Sequence, residues 1–279
     1  MKFTKMHGCG NDYIYINGFT EKIPPEKKPE LVKRISDRHF GIGGDGAIFI
    51  NPSEDADFEM EMFNADGTRA EMCGNGIRCV GKYVYDHKMT DKTEISVVSA
   101  GKVKYLTMTV ENGAVSTVRV NMGQPVLEPE QIPVISKKET VVDEPIVVNG
   151  KEFKMTCVSM GNPHAVVFVE NVKQFPVETI GPYFENHENF PNRTNTEFVE
   201  IVDRTHMKMR VYERGTGETL ACGTGCCASV VAATLNGLID GSAKVEVLGG
   251  VIEVTWDREE NQIYMTGPAE TVFEGEINV

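Results

Sequence analysis

Two cysteines stand in nearly the same setting. The segment MEMFNADGTRAEMCGNG, from Met60, is echoed by MRVYERGTGETLACGTG, from Met209, and each copy delivers one thiol, Cys73 or Cys222, followed by Gly-x-Gly and a helix-like run. A thiol acts as a base when ionised and as an acid when protonated. A matched pair therefore suits a reaction in which one group takes a proton from one face of a centre and its opposite number returns one to the other face. Inversion of a carbon centre has that requirement, and the duplicated thiols point to an epimerase.

The setting of each Cys has a chemical purpose. A helix amino terminus carries N–H groups without intrahelical partners and the positive end of the helix dipole, and both favour a thiolate and lower a Cys pKa toward neutrality. The glycines of Cys-Gly-Asn-Gly and Cys-Gly-Thr-Gly let backbone N–H groups approach an α-carboxylate closely, as other helix starts hold phosphate. Donors so placed would stabilise the enolate charge that develops when the α-proton leaves. An electron-sink cofactor is then not required, and no Lys lies in the Schiff-base and phosphate-cup context that pyridoxal phosphate needs.

The elements that must position these groups can be read around each Cys. Phe58, Met60 and Met62 alternate with Glu59 and Glu61, and Met207, Met209 and Val211 alternate with Lys208 and Arg210, the period of a half-buried strand. After the thiols, Ile77, Val80 and Val84, and Cys226, Val230 and Ala233, recur at helical spacing, with Asn236-Gly237 as a stop for the second helix. Short β-rich runs cover 94–99, 102–110, 115–121, 244–248 and 252–256. The repeat extends further: GN at Gly10-Asn11 returns at Gly161-Asn162, and GDGAIFI from Gly44 matches TNTEFVEI from Thr194, with Gly46 opposite Asn195. Collinear copies predict mixed α/β (α+β) architecture with two pseudo-symmetric, strand-rich domains, each a β-structure around a central helix. The expected lobes are residues 1–121 plus 268–279, carrying Cys73, and 122–267, carrying Cys222, with the active site in the interdomain cleft.

Composition narrows the function classes. At 279 residues, 41% hydrophobic and 25% charged, the chain reads as a soluble globular protein. A net charge of −13 without a Lys/Arg cluster argues against nucleic acid, whose backbone requires a basic patch. No apolar run has the length of a membrane span, and seven cysteines, an odd number, suit a reducing cytoplasm better than a disulfide scaffold.

The segments MHGCGNDYI, FNADGTRAEMCGNGIRC, SMGNPHAVVFV and VYERGTGETLACGTG together resemble the diaminopimelate epimerase family, and the similarity spans nearly the whole chain. The resemblance implies a cofactor-independent, cytoplasmic homodimer that interconverts LL- and meso-diaminopimelate, with Cys73 and Cys222 as the catalytic thiolate/thiol pair. It implies substrate contacts from Asn11, Asn64, Asn162 and Asn195, from Glu213 and Arg214 at the distal end of the substrate, and from the turns Gly74-Asn75 and Gly223-Thr224. It also makes His164 and Glu213 the neighbours that tune the thiols. One departure stands out: where many members carry a Gln, this chain has Gly46, so one side-chain contact is missing.

Plainer readings compete at several positions. Cys9, Cys79 and Cys157, and Cys226 and Cys227 on the far side of their helix, read as small buried residues. The Cys and His spacing does not form a zinc pattern, so no metal is expected. Proline-racemase-like enzymes also use paired cysteines, but their first turn typically reads Cys-Gly-His, whereas Asn75 follows Gly74 here. A non-catalytic thiol sensor would use the two cysteines as a reversible disulfide and leave the asparagines and Glu213-Arg214 without a role.

Overall fold

The computed structural model describes residues 1–70 and 73–278, and the chain forms two compact units: Met1–Val120 with the segment from Gly267 onward, and Asn121–Thr266. In chain order the elements are β1 (Lys2–Gly8), β2 (Asn11–Asn17), α1 (Lys28–Ser36), β3 (Gly46–Asn51), β4 (Phe58–Asn64), α2 (Gly74–Asp86), β5 (Glu94–Ser99), β6 (Lys102–Glu111) and β7 (Ala114–Gly123). The second unit contains β8 (Glu144–Val148), β9 (Lys151–Ser159), β10 (Pro163–Phe168), α3 (Val177–Glu185), β11 (Asn195–Asp203), β12 (His206–Glu213), β13 (Gly217–Thr219), α4 (Gly223–Leu235), β14 (Ser242–Val247), β15 (Gly250–Asp257) and β16 (Gln262–Pro268), whose last two residues belong to the first unit. The last strand, β17 (Glu270–Glu276), pairs antiparallel with β1.

The same topology is built twice. The first unit runs β17-β1-β2-β3-β4-β5-β6-β7, with β2–β3 and β4–β5 parallel and the other neighbours antiparallel. The second runs β8-β9-β10-β11-β12-β14-β15-β16 with β10–β11 and β12–β14 parallel, the same alternation. The parallel pairs have crossovers between them, and the longer one after β4 and β12 is where each copy inserts its Cys turn and buried helix.

That helix is the axis of each unit. Helix α2 packs on β1, β2 and β6, and α4 on β9, β10, β11, β14 and β15, so strands far apart in the sheet order meet the same helix and each sheet curls around it. Ile77, Val80 and Val84 are fully buried on α2, and removing each from water contributes about 1.5–3 kcal/mol. Gly81 lets β6 and β7 come close, because a β-carbon there would lie 3.1 Å from Leu106 and 3.3 Å from Val118. Helix α4 goes further: small residues such as Cys226, Cys227, Ala228 and Ser229 are buried all round, so strands approach every face. The apolar stripe of β4 follows the alternation in sequence, with Phe58, Met60 and Met62 buried.

Helices α1 and α3 carry weaker sequence signals. In α1 little beyond Val32 and Ile35 is apolar and fully buried. In α3 Gly181 and Pro182 sit within the helix, and Gly181 is required because a β-carbon would fall 2.3 Å from the Tyr212 ring on β12. Among the described residues no helix is long and apolar enough to cross a membrane.

Candidate active site

In the first unit the chain leaves β4 through a turn closed by Asp66, whose carboxylate accepts from Thr68 N at 2.9 Å and Thr68 Oγ1 at 2.6 Å. Asn64, the last residue of β4, is exposed here and donates to Thr68 Oγ1 at 3.1 Å. Cys73 is the N-cap of α2: in an extended conformation, its Sγ accepts from Gly76 N at 3.2 Å, the position usually filled by a Ser or Asp oxygen. The thiol also donates to Asn11 Oδ1 at 3.0 Å.

Asn11 is itself held. Its amide donates to Asp45 at 2.7 Å, and Asp45 and Asp12 share the guanidinium of Arg38, at 2.9 Å and 2.7 Å, while Lys5 reaches Asp12 at 2.6 Å. Burial pushes the Asp12 carboxyl up, but hydrogen bonds and charge from Arg38 and Lys5 outweigh it and hold Asp12 below the usual carboxylate range. Tyr13 follows on β2 and interacts with both Asn11 and Cys73, and burial together with the Cys73 charge raises its phenol far above the ordinary value. The turn itself is braced from beneath by a fully buried Arg78, which donates to Gly74 O at 3.2 Å, Asn75 Oδ1 at 3.0 Å and Pro268 O at 3.2 Å. The Asn75 side chain is therefore turned into the protein and its backbone left at the helix start.

The second unit repeats the cap. Cys222 precedes α4, its Sγ accepts from Gly225 N at 3.4 Å and lies 3.4 Å from Thr224 Oγ1. Thr224 Oγ1 accepts from Asn162 Nδ2 at 3.3 Å, and Asn162 Oδ1 lies 3.0 Å from Nε2 of His164. The other ring nitrogen of His164, Nδ1, is 2.7 Å from Glu197 Oε1, and both residues are completely buried. A carboxylate can only accept, so Nδ1 carries the hydrogen. The second oxygen of Glu197, Oε2, has no hydrogen-bond partner. His164, Glu197 and Cys222 present ligand-type atoms within 4.8 Å of one another, the only such group of three among the described residues, though nothing in a two-thiol reaction calls for a metal.

Glu213, ending β12, interacts with the Cys222 thiol and accepts from Thr219 Oγ1; burial raises its carboxyl pKa, and the Glu197 charge adds to the rise. Asn195 is buried with its amide committed to the main chain, donating to Pro163 O at 2.7 Å and accepting from Arg214 N at 3.0 Å, so it fixes the corner at Glu213-Arg214. The Arg214 side chain is exposed, with Nη1 donating to Asn192 O at 3.1 Å. Glu185 of α3 pins the next residue, accepting from Gly215 N at 2.7 Å.

The expectation of a lowered Cys pKa does not hold for Cys222. Burial pushes its thiol well above the ordinary value, the charges of Glu213 and Glu197 push it further, and the bonds from Thr224 and Gly225 N lower it too little to compensate. The helix start favours a thiolate, and in the second unit two carboxylates and desolvation win.

Residues read from the sequence thus gather in two places: Asn11 and the Gly74-Asn75 turn around Cys73, and His164, Asn162, Thr224, Gly223 and Glu213 around Cys222. Gly46 opens β3, where a β-carbon would lie 2.0 Å from Phe63 O, so this backbone has no room for a side chain there. Sequence reading missed Glu197, Arg78 and the Arg38–Asp12–Asp45 network. Glu197 had a signal: the internal repeat sets it opposite an apolar residue, Ile48, of the first copy.

The family profile described as "Diaminopimelate epimerase" matches residues 3–128 and 156–272. A diaminopimelate epimerase from Methanococcus maripaludis is 58% identical over 279 residues, covering 100% of both chains, and one from Acetivibrio thermocellus is 58% identical, covering 100% of this chain and 99% of its own. Among solved structures, a phenazine biosynthesis protein of the PhzF family from Bacillus anthracis superposes with a TM-score of 0.71 at 17% identity, covering 100% and 99% of the two chains. A probable proline racemase from Agrobacterium radiobacter does so with a TM-score of 0.70 at 14% identity, covering 100% and 93%. These two likenesses concern the fold alone. With the profile matching most of its length and relatives above half identity from end to end, the chain belongs to the diaminopimelate epimerase family.

Proposed function

We propose that the protein interconverts LL- and meso-diaminopimelate by a cofactor-independent two-base reaction, as a cytosolic homodimeric isomerase supplying lysine or cell-wall precursors. The observation that carries the reading is the duplicated cap: Cys73 and Cys222 each precede a buried helix, and each Sγ accepts a hydrogen bond from the third residue beyond it. The substrate's α-carboxylate would sit at the two Gly-rich helix starts, where N–H donors and the dipole favour negative charge. One thiolate removes the α-proton, the carboxylate charge that develops is stabilised by those donors, and the opposite thiol delivers a proton to the other face. The pair exchanges protonation states with each turnover, so both isomers are substrates.

Selectivity would lie at the distal end. Arg214 can pair a carboxylate through two parallel hydrogen bonds and Glu213 an ammonium, which a monoamino acid lacking the second amino-acid end does not supply. The test is incubation of the purified protein with LL-diaminopimelate, L-lysine and L-proline, followed by chiral chromatography. The reading predicts meso product from diaminopimelate alone; racemisation of proline in preference to diaminopimelate would overturn it.

A further inference from the structure

Among the differences between the two copies of the cap is a buried position behind the thiol. In the first unit Gly46 and Ile48 of β3 pair with Tyr13 and Tyr15; in the second Asn195 and Glu197 of β11 pair with His164 and Val166. Ile48 and Glu197 therefore occupy the same register, and each meets the same part of its helix. A β-carbon on Gly76 would lie 2.8 Å from Ile48 Cδ1, and one on Gly225 would lie 2.6 Å from Glu197 Oε1. Behind Cys73 the position is hydrocarbon; behind Cys222 it is a carboxylate.

The carboxylate is not isolated. Glu197 Oε1 binds His164 Nδ1 at 2.7 Å, Nε2 faces Asn162, Asn162 reaches Thr224 and Thr224 reaches Cys222 Sγ, which lies within 4.8 Å of a Glu197 oxygen. The ring of contacts closes on the thiol. Oε2, buried and without a partner, is costly unless it has a use.

We infer that Glu197 is a positioning residue for the reaction: it fixes the hydrogen on His164 Nδ1 and places a carboxylate beside Cys222, so that the resting enzyme holds Cys222 as the proton-donating thiol. Resting on the epimerase reading, this assigns Cys222 its starting protonation. The ionisable groups that feel Glu197 are His164 on β10, Glu213 on β12, Cys157 on β9 and Cys222 at the head of α4. Burial and the two carboxylates raising the Cys222 thiol agree with it.

The test is site-resolved alkylation by iodoacetamide across pH, read by mass spectrometry at Cys222 and Cys73 in the intact protein. In Glu197→Gln the Cys222 profile should move down by about one pH unit, a roughly tenfold faster reaction near neutrality, while the Cys73 profile stays in place as the internal check on folding. Glu197→Ile, which makes the second cap resemble the first, should move it the same way, and Glu197→Asp should stay near the wild-type profile. With diaminopimelate, Glu197→Gln should lose about 10- to 100-fold in kcat with little change in KM, the size of effect seen for groups that orient a reacting residue. A Cys222 profile in Glu197→Gln superimposed on wild type, or equal movement of both cysteines, would overturn the inference. Should the wild-type protein leave diaminopimelate unchanged, the function reading fails, and the alkylation profiles still decide the role of Glu197.

Discussion

Asn11 accepts the Cys73 thiol hydrogen at 3.0 Å and is itself fixed from behind by Asp45 at 2.7 Å. A base must lie in line with the bond it breaks, and this asparagine sets the direction of Sγ. Asn11→Leu keeps the size and removes both bonds. We expect kcat to fall by at least about tenfold, the equivalent of one hydrogen bond of about 1.4 kcal/mol lost between ground and transition state, measured by steady-state epimerisation. An unchanged kcat would mean that the Cys73 direction is set elsewhere.

Arg78 is the brace of the first cap. Its guanidinium is fully buried and donates to Gly74 O, Asn75 Oδ1 and Pro268 O. Arg78→Met fills much of the same volume and leaves those acceptors without their donor. The expected result is a loss of about 2–5 kcal/mol in urea unfolding, together with reduced turnover from a loosened helix start. A variant as stable as wild type would show that these acceptors find other donors.

Low pH should act through Asp12. Its folded-state carboxyl lies below the usual carboxylate range despite burial, because Arg38 and Lys5 hold it charged. A group with a depressed folded pKa contributes its stability above the unfolded value and loses it as pH falls through the folded one. The wild-type unfolding midpoint should therefore decline as pH drops below about 4, and Asp12→Asn, less stable at neutral pH, should show a shallower decline there. Parallel curves for the two proteins would remove Asp12 from the acid response.

Much of this was legible in the chain itself. The alternation of Phe58, Met60 and Met62 and the helical spacing of Ile77, Val80 and Val84 are local patterns, and β4 and α2 carry their burial as those patterns require. The repeat located both caps because a strand, a turn, a Cys and two glycines are consecutive. Glu197 was legible only in part: the repeat sets it opposite Ile48, but in TNTEFVEI it reads as one more polar residue on a strand, and only the pairing of β10 with β11 brings it to His164. The raised Cys222 pKa has the same origin. A helix start is visible locally, whereas Glu213, Glu197 and the burial that opposes it come from three other parts of the unit. Helix α1 was missed because only two of its apolar residues, Val32 and Ile35, are buried, too few for a clear period.

The central claim is that two thiols act in turn on one carbon, and the label carried by product and recovered substrate tests it most directly. LL-diaminopimelate incubated with the enzyme in heavy water and stopped at a few per cent conversion should give meso product deuterated at the inverted α-carbon, with the recovered LL substrate still protiated. Cys73→Ala and Cys222→Ala should each reduce this conversion by about 10²-fold or more, the usual weight of a positioned acid or base. Product that retains the original hydrogen, or full conversion by either Ala variant, would contradict the account.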